Sequence, residues 1–280
     1  MFQSISLADS LVITPRPSGF TLSVRFEDAG VARRETRAVP APRASVPRGP
    51  ANLVLRAARL LRAQGLVGGA RFRLIKRIPS QAGLGGGSAD GAAALVGLAR
   101  LYGMRLPPPL RLAWGAALGS DVPFLLAGGT ALGLGRGDRL ASLRLERPFR
   151  ALIAVPSWRV STAAAYARLD RGKYGLTAWS ANLTFAQRLG SDGVRPRDAL
   201  RLGNSFEAVL GDRRRAFESL RERLRRAGVP SPRMSGSGSA VFGLLRPGAS
   251  ARALVDRFEG PERLYAVRSA RKALRVLVDR

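Results

Sequence analysis

The chain has 280 residues, of which 46% are hydrophobic, and it carries a formal net charge of +28. This length and hydrophobic content can supply one large core or two smaller ones, and the sequence has neither a long apolar run nor an export-type leader. The lack of Cys and His excludes the usual zinc, haem and thiol sites and any Ser/His or Cys/His catalytic pair, so acid and base chemistry falls to carboxylates or Lys.

The excess charge comes from arginine, which supplies 44 of the 47 basic residues. The arginines are spread over nearly every segment, without a long basic block or interleaved aromatic residues. A general Arg-for-Lys bias explains this distribution better than a nucleic-acid surface does. We therefore expect a cytoplasmic protein with no membrane or nucleic-acid partner, whose positive field favours anionic small molecules.

Apolar and polar residues alternate in short runs over the first 30 residues, which predicts a meander of strands. The Pro-, Ala- and Arg-rich passage 38–50 predicts a loop. NLVLRAARLLRAQGL then has leucines at helical spacing and a glycine stop at Gly65, which predicts an amphipathic helix. RFRLIKRIP, ending at Pro79, predicts a strand, and a second helix is expected from Ser88 to Tyr102.

The stretch QAGLGGGSADGAAAL, residues 81–95, joins this strand to this helix. Glycine allows positive φ and close approach of a ligand, and the start of a helix aims free N–H groups at the same point, so we interpret the loop as a phosphate cradle. It is not a Walker loop, because no Lys follows the last glycine. It is not a dinucleotide fingerprint, because Ser88 stands where the third glycine should be. A tight connection that binds nothing is the alternative.

Two polar residues open the second helix. Ser88 can offer its hydroxyl to a phosphate or to a magnesium ion. Asp90 either caps the helix or lies beside a metal, and capping is the commoner role for an acid at this position.

Short elements separated by glycines follow the second helix, and within them GSDVPFLLAGGTALGLGRGD occupies residues 119–138. Asp121 stands there between small residues and an apolar stretch. A carboxylate at such a junction can lie half-buried at the edge of a cleft and accept a proton from a substrate hydroxyl. The ordinary alternative is a helix N-cap that bonds the N–H groups of VPFL.

The second half of the chain begins near ALIAVPS, residues 151–157, which predicts a buried strand. We place a domain boundary before it, giving domains 1–148 and 149–280, and expect alternating helices and apolar strands afterwards. MSGSGSAVFG, residues 234–243, is a second Gly/Ser-rich turn before a strand. Its N–H and O–H groups can surround further phosphate oxygens.

Taken in order, PSQAGLGGGSAD, GSDVPFLLAGGTALGLGRGD and MSGSGSAVFG resemble the second motif, the catalytic-aspartate motif and the third motif of the GHMP small-molecule kinases. GPANLVLRAARLL, VSTAAAY and GNSFEAVL are also similar, and the likeness runs from about residue 5 to residue 245. Within that superfamily the motif sequences are most similar to those of the kinases that act on a cytidine diphosphate-linked methylerythritol in the non-mevalonate isoprenoid pathway.

The resemblance implies a two-domain α/β (α+β) fold. Its N-terminal domain would be like ribosomal protein S5 domain 2, with the first strand missing, and its C-terminal domain would be ferredoxin-like α+β. The implied activity is ATP-dependent phosphorylation of the substrate's 2-hydroxyl, with ATP and Mg²⁺. Another GHMP small-molecule kinase, or an inactive nucleotide-binding or RNA-associated protein, is the alternative.

The resemblance also implies roles for individual residues. Asp121 matches the catalytic aspartate, which takes the proton of the attacking hydroxyl. ATP would lie along the loop, with Ser88 also as a magnesium ligand; the loop residues are Pro79, Ser80, Gln81, Ala82, Gly83, Leu84, Gly85, Gly86, Gly87, Ser88 and Ala89. The substrate-side residues would be Thr162, Tyr166 (against the cytosine ring), Ser235, Gly236, Ser237 and Gly238. A Tyr on one helix face is, however, more often a core residue.

The family pattern begins with PAK-x-N-L and a later D-G-Y-H element, and neither occurs in this sequence. MFQSISLADSLV, residues 1–12, resembles the stretch that follows the Tyr-His pair. We therefore expect a preceding segment with an edge strand, the Lys that partners the catalytic Asp and the pair that holds the cytidine. Lys76 matches a different position and is not assigned that role.

Two interpretations follow: a shortened form of a kinase, which we favour because the other motifs are intact, or a short form with weak or no kinase activity. Nucleotide binding and phosphoryl transfer by this chain, beside an N-terminally extended one, would separate them. The sequence leaves the oligomeric state open.

Overall fold

The computed structural model describes residues 1–31, 46–66, 68–134, 139–171, 193–201 and 203–277. The predicted loop at 38–50 therefore lies mostly outside the described residues, and its described part, 46–50, has neither helix nor strand. None of the described helices is long and apolar enough to cross a membrane.

The first half of the chain carries two small sheets. The strands are β1 (Phe2–Gln3), β2 (Ser10–Arg16), β3 (Phe20–Phe26), β4 (Gly69–Lys76), β5 (Thr130–Leu134) and β6 (Arg139–Leu143). One sheet has the order β2-β4-β3 and the other has the order β1-β5-β6.

The predicted meander of β2 and β3 is wrong, because β4 lies between them. β4 pairs antiparallel with β2 and parallel with β3. The physical reason is burial: Ala70, Phe72 and Leu74 of β4 are at most 1% exposed. The most deeply buried of the three strands takes the central position, where both of its edges are also covered.

The described residues of the first half also form the helices α1 (Leu53–Ala63), α2 (Gly86–Leu101), α3 (Pro108–Leu118) and α4 (Val122–Ala127). α1 is confirmed. Its N-cap Asn52 accepts a 2.9 Å bond from the Val54 amide, and it ends where Gly65 takes φ +90°. α2 begins two residues earlier than predicted, after Gly85. Apolar residues of these helices and of β2, β3 and β4 form one core cluster.

The second half has the strands β7 (Arg150–Val155), β8 (Arg233–Met234), β9 (Val241–Leu244) and β10 (Arg263–Arg268), and the helices α5 (Thr162–Arg171), α6 (Pro196–Arg201), α7 (Arg214–Arg226) and α8 (Ala251–Arg257). Short 3₁₀ turns span Ser205–Val209 and Gly211–Arg213. The predicted buried strand is confirmed as β7, of which the last five residues are buried.

The four strands form an antiparallel sheet in the order β10-β7-β9-β8. The last strand thus lies beside the first, and the third lies between the first and the second, which is the ferredoxin-like arrangement that was expected. Two further core clusters pack against this sheet, one under α7 and α8 and one that includes Ala82 of the glycine loop. The boundary between residues 148 and 149 remains a prediction.

The N-terminal residues also pair with the C-terminal sheet. The Ser6 amide donates to the Arg268 carbonyl at 2.9 Å, and the Ala270 amide donates to the Ser4 carbonyl at 2.8 Å. The chain ends are therefore joined by main-chain hydrogen bonds.

We expect Phe72→Ala to lower the free energy of unfolding by about 3–5 kcal/mol, because this fully buried ring fills the core beneath β4. Val12→Ala is the matched control, since Val12 is on the same sheet but 39% exposed, and it should cost at most about 0.5 kcal/mol. Urea unfolding followed by circular dichroism measures both, and equal losses would contradict this account of the core.

Candidate active site

The glycine loop runs from the end of β4 to the start of α2. Gly83 and Gly85 take φ of +73° and +69°, and Gln81 also has a positive φ of +56°. No side chain caps α2, so the first N–H groups of the helix keep their donors for another partner. A Cβ built on Gly87 meets nothing within 4 Å. The start of α2 is therefore open enough to receive an anion.

The four loop glycines do not all serve the same purpose. A Cβ on Gly83 would lie 2.1 Å from the Ser235 carbonyl oxygen, and a Cβ on Gly86 would lie 2.9 Å from the Ile78 side chain. These two glycines are thus required by contacts within the protein. Gly87, in contrast, has open space beside it, and the assignment of these glycines to a nucleotide remains a prediction.

The Gly/Ser turn at 235–239 packs directly against the glycine loop. Ser235 Oγ donates to the Gly83 carbonyl at 2.8 Å, and the Ala240 amide donates to the Ala82 carbonyl at 3.0 Å. The structure therefore brings together the glycine loop and the Gly/Ser turn, the second and third motifs of the family pattern, which are about 150 residues apart in the chain.

Asn204 and Glu207 hold this turn from the other side. The Asn204 amide donates to the carbonyls of Met234 and Gly236 at 2.9 and 2.8 Å. Glu207 accepts a 2.8 Å bond from the Met234 amide. GNSFEAVL, residues 203–210, is similar to the GHMP kinases but was assigned no site residue from the sequence. Its Asn-x-x-Glu spacing before an apolar pair suggests a helix cap, but only Asn204 caps, by accepting from the Phe206 amide at 3.0 Å.

Asp121 occupies the N-cap position of α4, yet its carboxylate makes no capping hydrogen bond. The capping interpretation of Asp121 is therefore wrong. The side chain is half-buried, and this burial raises the pKa of Asp121. On α4, Leu125 lies 3.8 Å from the position of a Cβ built on Gly85, so the helix packs beside the glycine loop.

Tyr166 on α5 faces the same region. Burial raises the pKa of Tyr166, and the negative charge of Asp121 adds to the rise, so these two side chains are electrostatic neighbours. The ring lies edge-on to Phe206 with centroids 5.0 Å apart, and Tyr166 is 51% exposed. The core alternative for Tyr166 is therefore wrong.

The start of α5 closes the arrangement. Thr162 Oγ1 is 2.8 Å from Ser237 Oγ, and Arg159 donates to the Gln81 side chain in the glycine loop. Hydrogen bonds thus link the glycine loop, the start of α5 and the turn at 235–239, and Tyr166 and Asp121 lie near them as electrostatic neighbours.

Asp90 has a role that the sequence did not predict. It does not cap α2; its Oδ2 accepts a 2.8 Å bond from Lys76 Nζ, which also bonds to Asp9 Oδ2. All three side chains are at most 5% exposed. Burial raises the pKa of Asp90 to about 7; the charge of Asp9 adds to the rise and the Lys76 ammonium opposes it.

The candidate magnesium ligand Ser88 is half-buried in the first turn of α2. Among the residues that the structure describes, no three His, Cys, Asp or Glu side chains come together as a metal site. Mg²⁺ commonly keeps several waters and is held by one or two protein groups together with substrate phosphates. The residues present suit an ion that arrives with a nucleotide.

The chain matches the family models described as GHMP kinases N terminal domain, over residues 52–129, and GHMP kinases C terminal, over residues 185–261. It is 38% identical over 259 residues to a 4-diphosphocytidyl-2-C-methyl-D-erythritol kinase of Moorella thermoacetica, which covers 92% of this chain and 85% of the relative. A kinase of the same name from Pelotomaculum thermopropionicum is 39% identical over 92% of this chain and 84% of the relative.

Solved structures agree with these matches. A crystal structure of 4-(cytidine 5'-diphospho)-2C-methyl-D-erythritol kinase is similar with a TM-score of 0.66 and 34% identity, over 95% of this chain and 87% of that one. A homoserine kinase from Cytophaga hutchinsonii has the same TM-score of 0.66 at 19% identity, over 95% of this chain and 87% of that one, which shows a shared fold.

We expect Gly83→Ala to destabilise the protein by at least about 1–2 kcal/mol, because an alanine Cβ is unfavourable at positive φ and would also strike the Ser235 carbonyl. Gly87→Ala, four residues away in open space, should leave stability unchanged or raise it by up to about 1 kcal/mol. Thermal unfolding compares the two variants, and an equal loss in both would show that the loop does not pack as described.

The pKa of Asp90 predicts a dependence of stability on pH. The pKa of about 7 in the folded protein lies above the ordinary aspartate value of 3.8. The stability that proton binding contributes is therefore complete below pH 3.8 and is lost as the pH rises through about 7. Between pH 5 and pH 8 the free energy of unfolding of the wild-type chain should therefore fall relative to that of Asp90→Asn. Urea titrations at each pH measure both free energies of unfolding. The same pH dependence in the wild-type chain and in Asp90→Asn would contradict the prediction.

Proposed function

The chain belongs to the GHMP kinases, and within them to the 4-diphosphocytidyl-2-C-methyl-D-erythritol kinases, and on that premise we propose that it transfers the γ-phosphoryl group of ATP to the 2-hydroxyl of 4-diphosphocytidyl-2-C-methyl-D-erythritol. The observation that carries the proposal is that the turn at 235–239 and α4, which begins directly after the uncapped Asp121, both pack against the glycine loop. The enzyme acts on a small molecule in isoprenoid precursor biosynthesis. A cytoplasmic location remains a prediction.

ATP is the phosphate donor of this family, and the glycine loop is where we place its phosphates. The uncapped N–H groups at the start of α2 and the positive end of its dipole favour a polyanion there, and the open space over Gly87 leaves room for it. The Ser88 hydroxyl would hold Mg²⁺ together with the phosphates. When bound, this ion would neutralise charge on the phosphoryl oxygens.

Asp121 is the proposed general base. Its carboxylate takes the proton of the 2-hydroxyl as that oxygen forms a bond to the γ-phosphorus, and the bond from the γ-phosphorus to the β–γ bridging oxygen breaks to release ADP. Because no N–H group at the start of α4 bonds to the carboxylate, its oxygens are not used as a helix cap and can accept a proton. The raised pKa makes the carboxylate a stronger base once it is ionised.

The remaining site residues would hold the substrate. Tyr166 is exposed near Asp121 and packs edge-on against the partly buried Phe206, so its ring suits stacking against a cytosine ring. Thr162 and Ser237 offer neighbouring hydroxyls, which together with the backbone N–H of Gly236 suit a diphosphate. The N–H groups of Ser235 and Gly238 already donate to the carbonyls of Ala240 and Ser235, so these two residues would shape the turn that faces the substrate. The other GHMP kinases and the RNA-associated alternative are not favoured, because the curated relatives across most of the chain carry the name of this one kinase.

We expect Asp121→Asn to lower kcat by about 10²–10⁴-fold, because an amide cannot accept the hydroxyl proton. MgATP affinity should be unchanged, since Asp121 is assigned to the hydroxyl and not to the nucleotide. Steady-state ADP release with 4-diphosphocytidyl-2-C-methyl-D-erythritol measures the first quantity, and titration calorimetry measures the second. Asp256→Asn removes an exposed carboxylate on α8 and is the control.

A substrate panel sharpens this test. Homoserine and mevalonate, assayed beside the cytidine-linked alcohol, should give much lower kcat/KM, because neither offers a ring to Tyr166. Preference for one of them, or salt-dependent RNA binding that ATP does not change, would overturn the proposed function.

A further inference from the structure

We propose that Asp9, Lys76 and Asp90 are positioning residues that hold the two ends of the glycine loop in the geometry that binds the nucleotide phosphates. The role rests on the proposed function. None of the three is among the residues assigned above to the nucleotide or the substrate, although Asp90 is the last residue of PSQAGLGGGSAD.

Asp9 fixes the entrance of the loop. It lies directly before β2, and its Oδ1 accepts hydrogen bonds from the backbone amides of Arg77 and Ile78 at 2.5 and 2.8 Å. These amides belong to the first residues after β4, where the chain leaves the sheet. One carboxylate oxygen therefore sets the direction in which the loop departs.

Lys76 connects this entrance to the exit of the loop. Its ammonium bonds to Asp9 on one side and to Asp90, the fifth residue of α2, on the other. A Cβ on Gly86, the first residue of α2, would lie 3.2 Å from Lys76 Nζ. The ammonium thus sits directly beneath the point where the loop becomes a helix.

The three side chains act as one unit because they are shielded from water. Lys76 is 2% exposed, and Asp9 and Asp90 are each 5% exposed. A buried charge is tolerated only when it is paired and hydrogen-bonded, so removal of one partner leaves the others uncompensated. The burial also keeps Lys76 away from solvent and from a ligand in the loop, which makes it a positioning residue and not a catalytic one.

The consequence for binding is geometric. The N–H groups that start α2 can only meet a triphosphate if the helix start is held at a constant place relative to residues 76–78. Small displacements of binding groups have large effects on ligand and transition-state binding. The cluster Asp9–Lys76–Asp90 supplies this restraint from within the N-terminal half, independently of the contact between Gly83 and Ser235.

The test compares Asp9→Ala, Asp90→Ala and Asp90→Asn by titration calorimetry with MgATP and by steady-state kinetics. We expect Asp9→Ala and Asp90→Ala to weaken MgATP affinity and raise the KM for ATP by about 10–100-fold, with the KM for the alcohol substrate unchanged. Asp90→Asn should keep most of the affinity, because the amide oxygen can still accept a hydrogen bond from Lys76.

Asp198→Ala is the matched control, since Asp198 is also a buried carboxylate, 7% exposed and paired with Arg195 Nε at 2.8 Å, but lies in α6. It should leave MgATP affinity unchanged. Thermal unfolding of each variant identifies any that fails to fold. If an alanine variant does not fold, the comparison of Asp90→Asn with the wild-type chain decides. A more than tenfold loss of MgATP affinity in folded Asp90→Asn would then count against the bonding scheme.

Folded Asp9→Ala and Asp90→Ala with wild-type MgATP affinity, or with equal losses for both substrates, would overturn the positioning role alone. A wild-type chain that binds no MgATP would overturn the proposed function and this role with it. The two failures are therefore distinguishable from the wild-type titration.

Discussion

The close contact between the glycine loop and the turn at 235–239 is the constraint on which the rest of the site depends. Gly83 has a positive φ and no room for a side chain, because the Ser235 carbonyl lies where its Cβ would be. Two further hydrogen bonds join the same segments. The turn precedes β9 and the loop follows β4. This backbone contact therefore joins the sheet β2-β4-β3 to the sheet β10-β7-β9-β8. Every proposed ligand contact lies on or beside it.

Three acidic residues near the loop show how environment separates chemical roles. Asp9 and Asp90 share a buried ammonium and are held away from solvent, so their charges serve the geometry of the loop. Asp121 has no capping bond and is only half-buried, which leaves its oxygens available at the edge of the cleft. The same functional group thus supports the structure in one place and is suited to accept a proton in another, because its partners differ.

Local patterns were sufficient for α1, β4 and β7. Leucines at helical spacing followed by Gly65 predict α1, and the apolar run ALIAVPS predicts β7, because each pattern reports directly on which side of one element is buried. The pairing of β2 with β3 could not be predicted this way. Their neighbour β4 arrives more than 40 residues later, and its burial decides the order of the sheet. Asp90 was misassigned for a related reason, since its partner Lys76 lies on another element.

The sequence by itself determined the element types, the three motifs with their order, and the family to which those motifs belong. These properties follow from short stretches of chain, in which residue type and spacing are sufficient. Only the tertiary structure decided which loop glycines face the protein and which face open space, and that Asp121 is uncapped while Asp90 is buried beside Lys76. These properties depend on atoms that come from distant parts of the chain, and packing alone brings those atoms within contact distance.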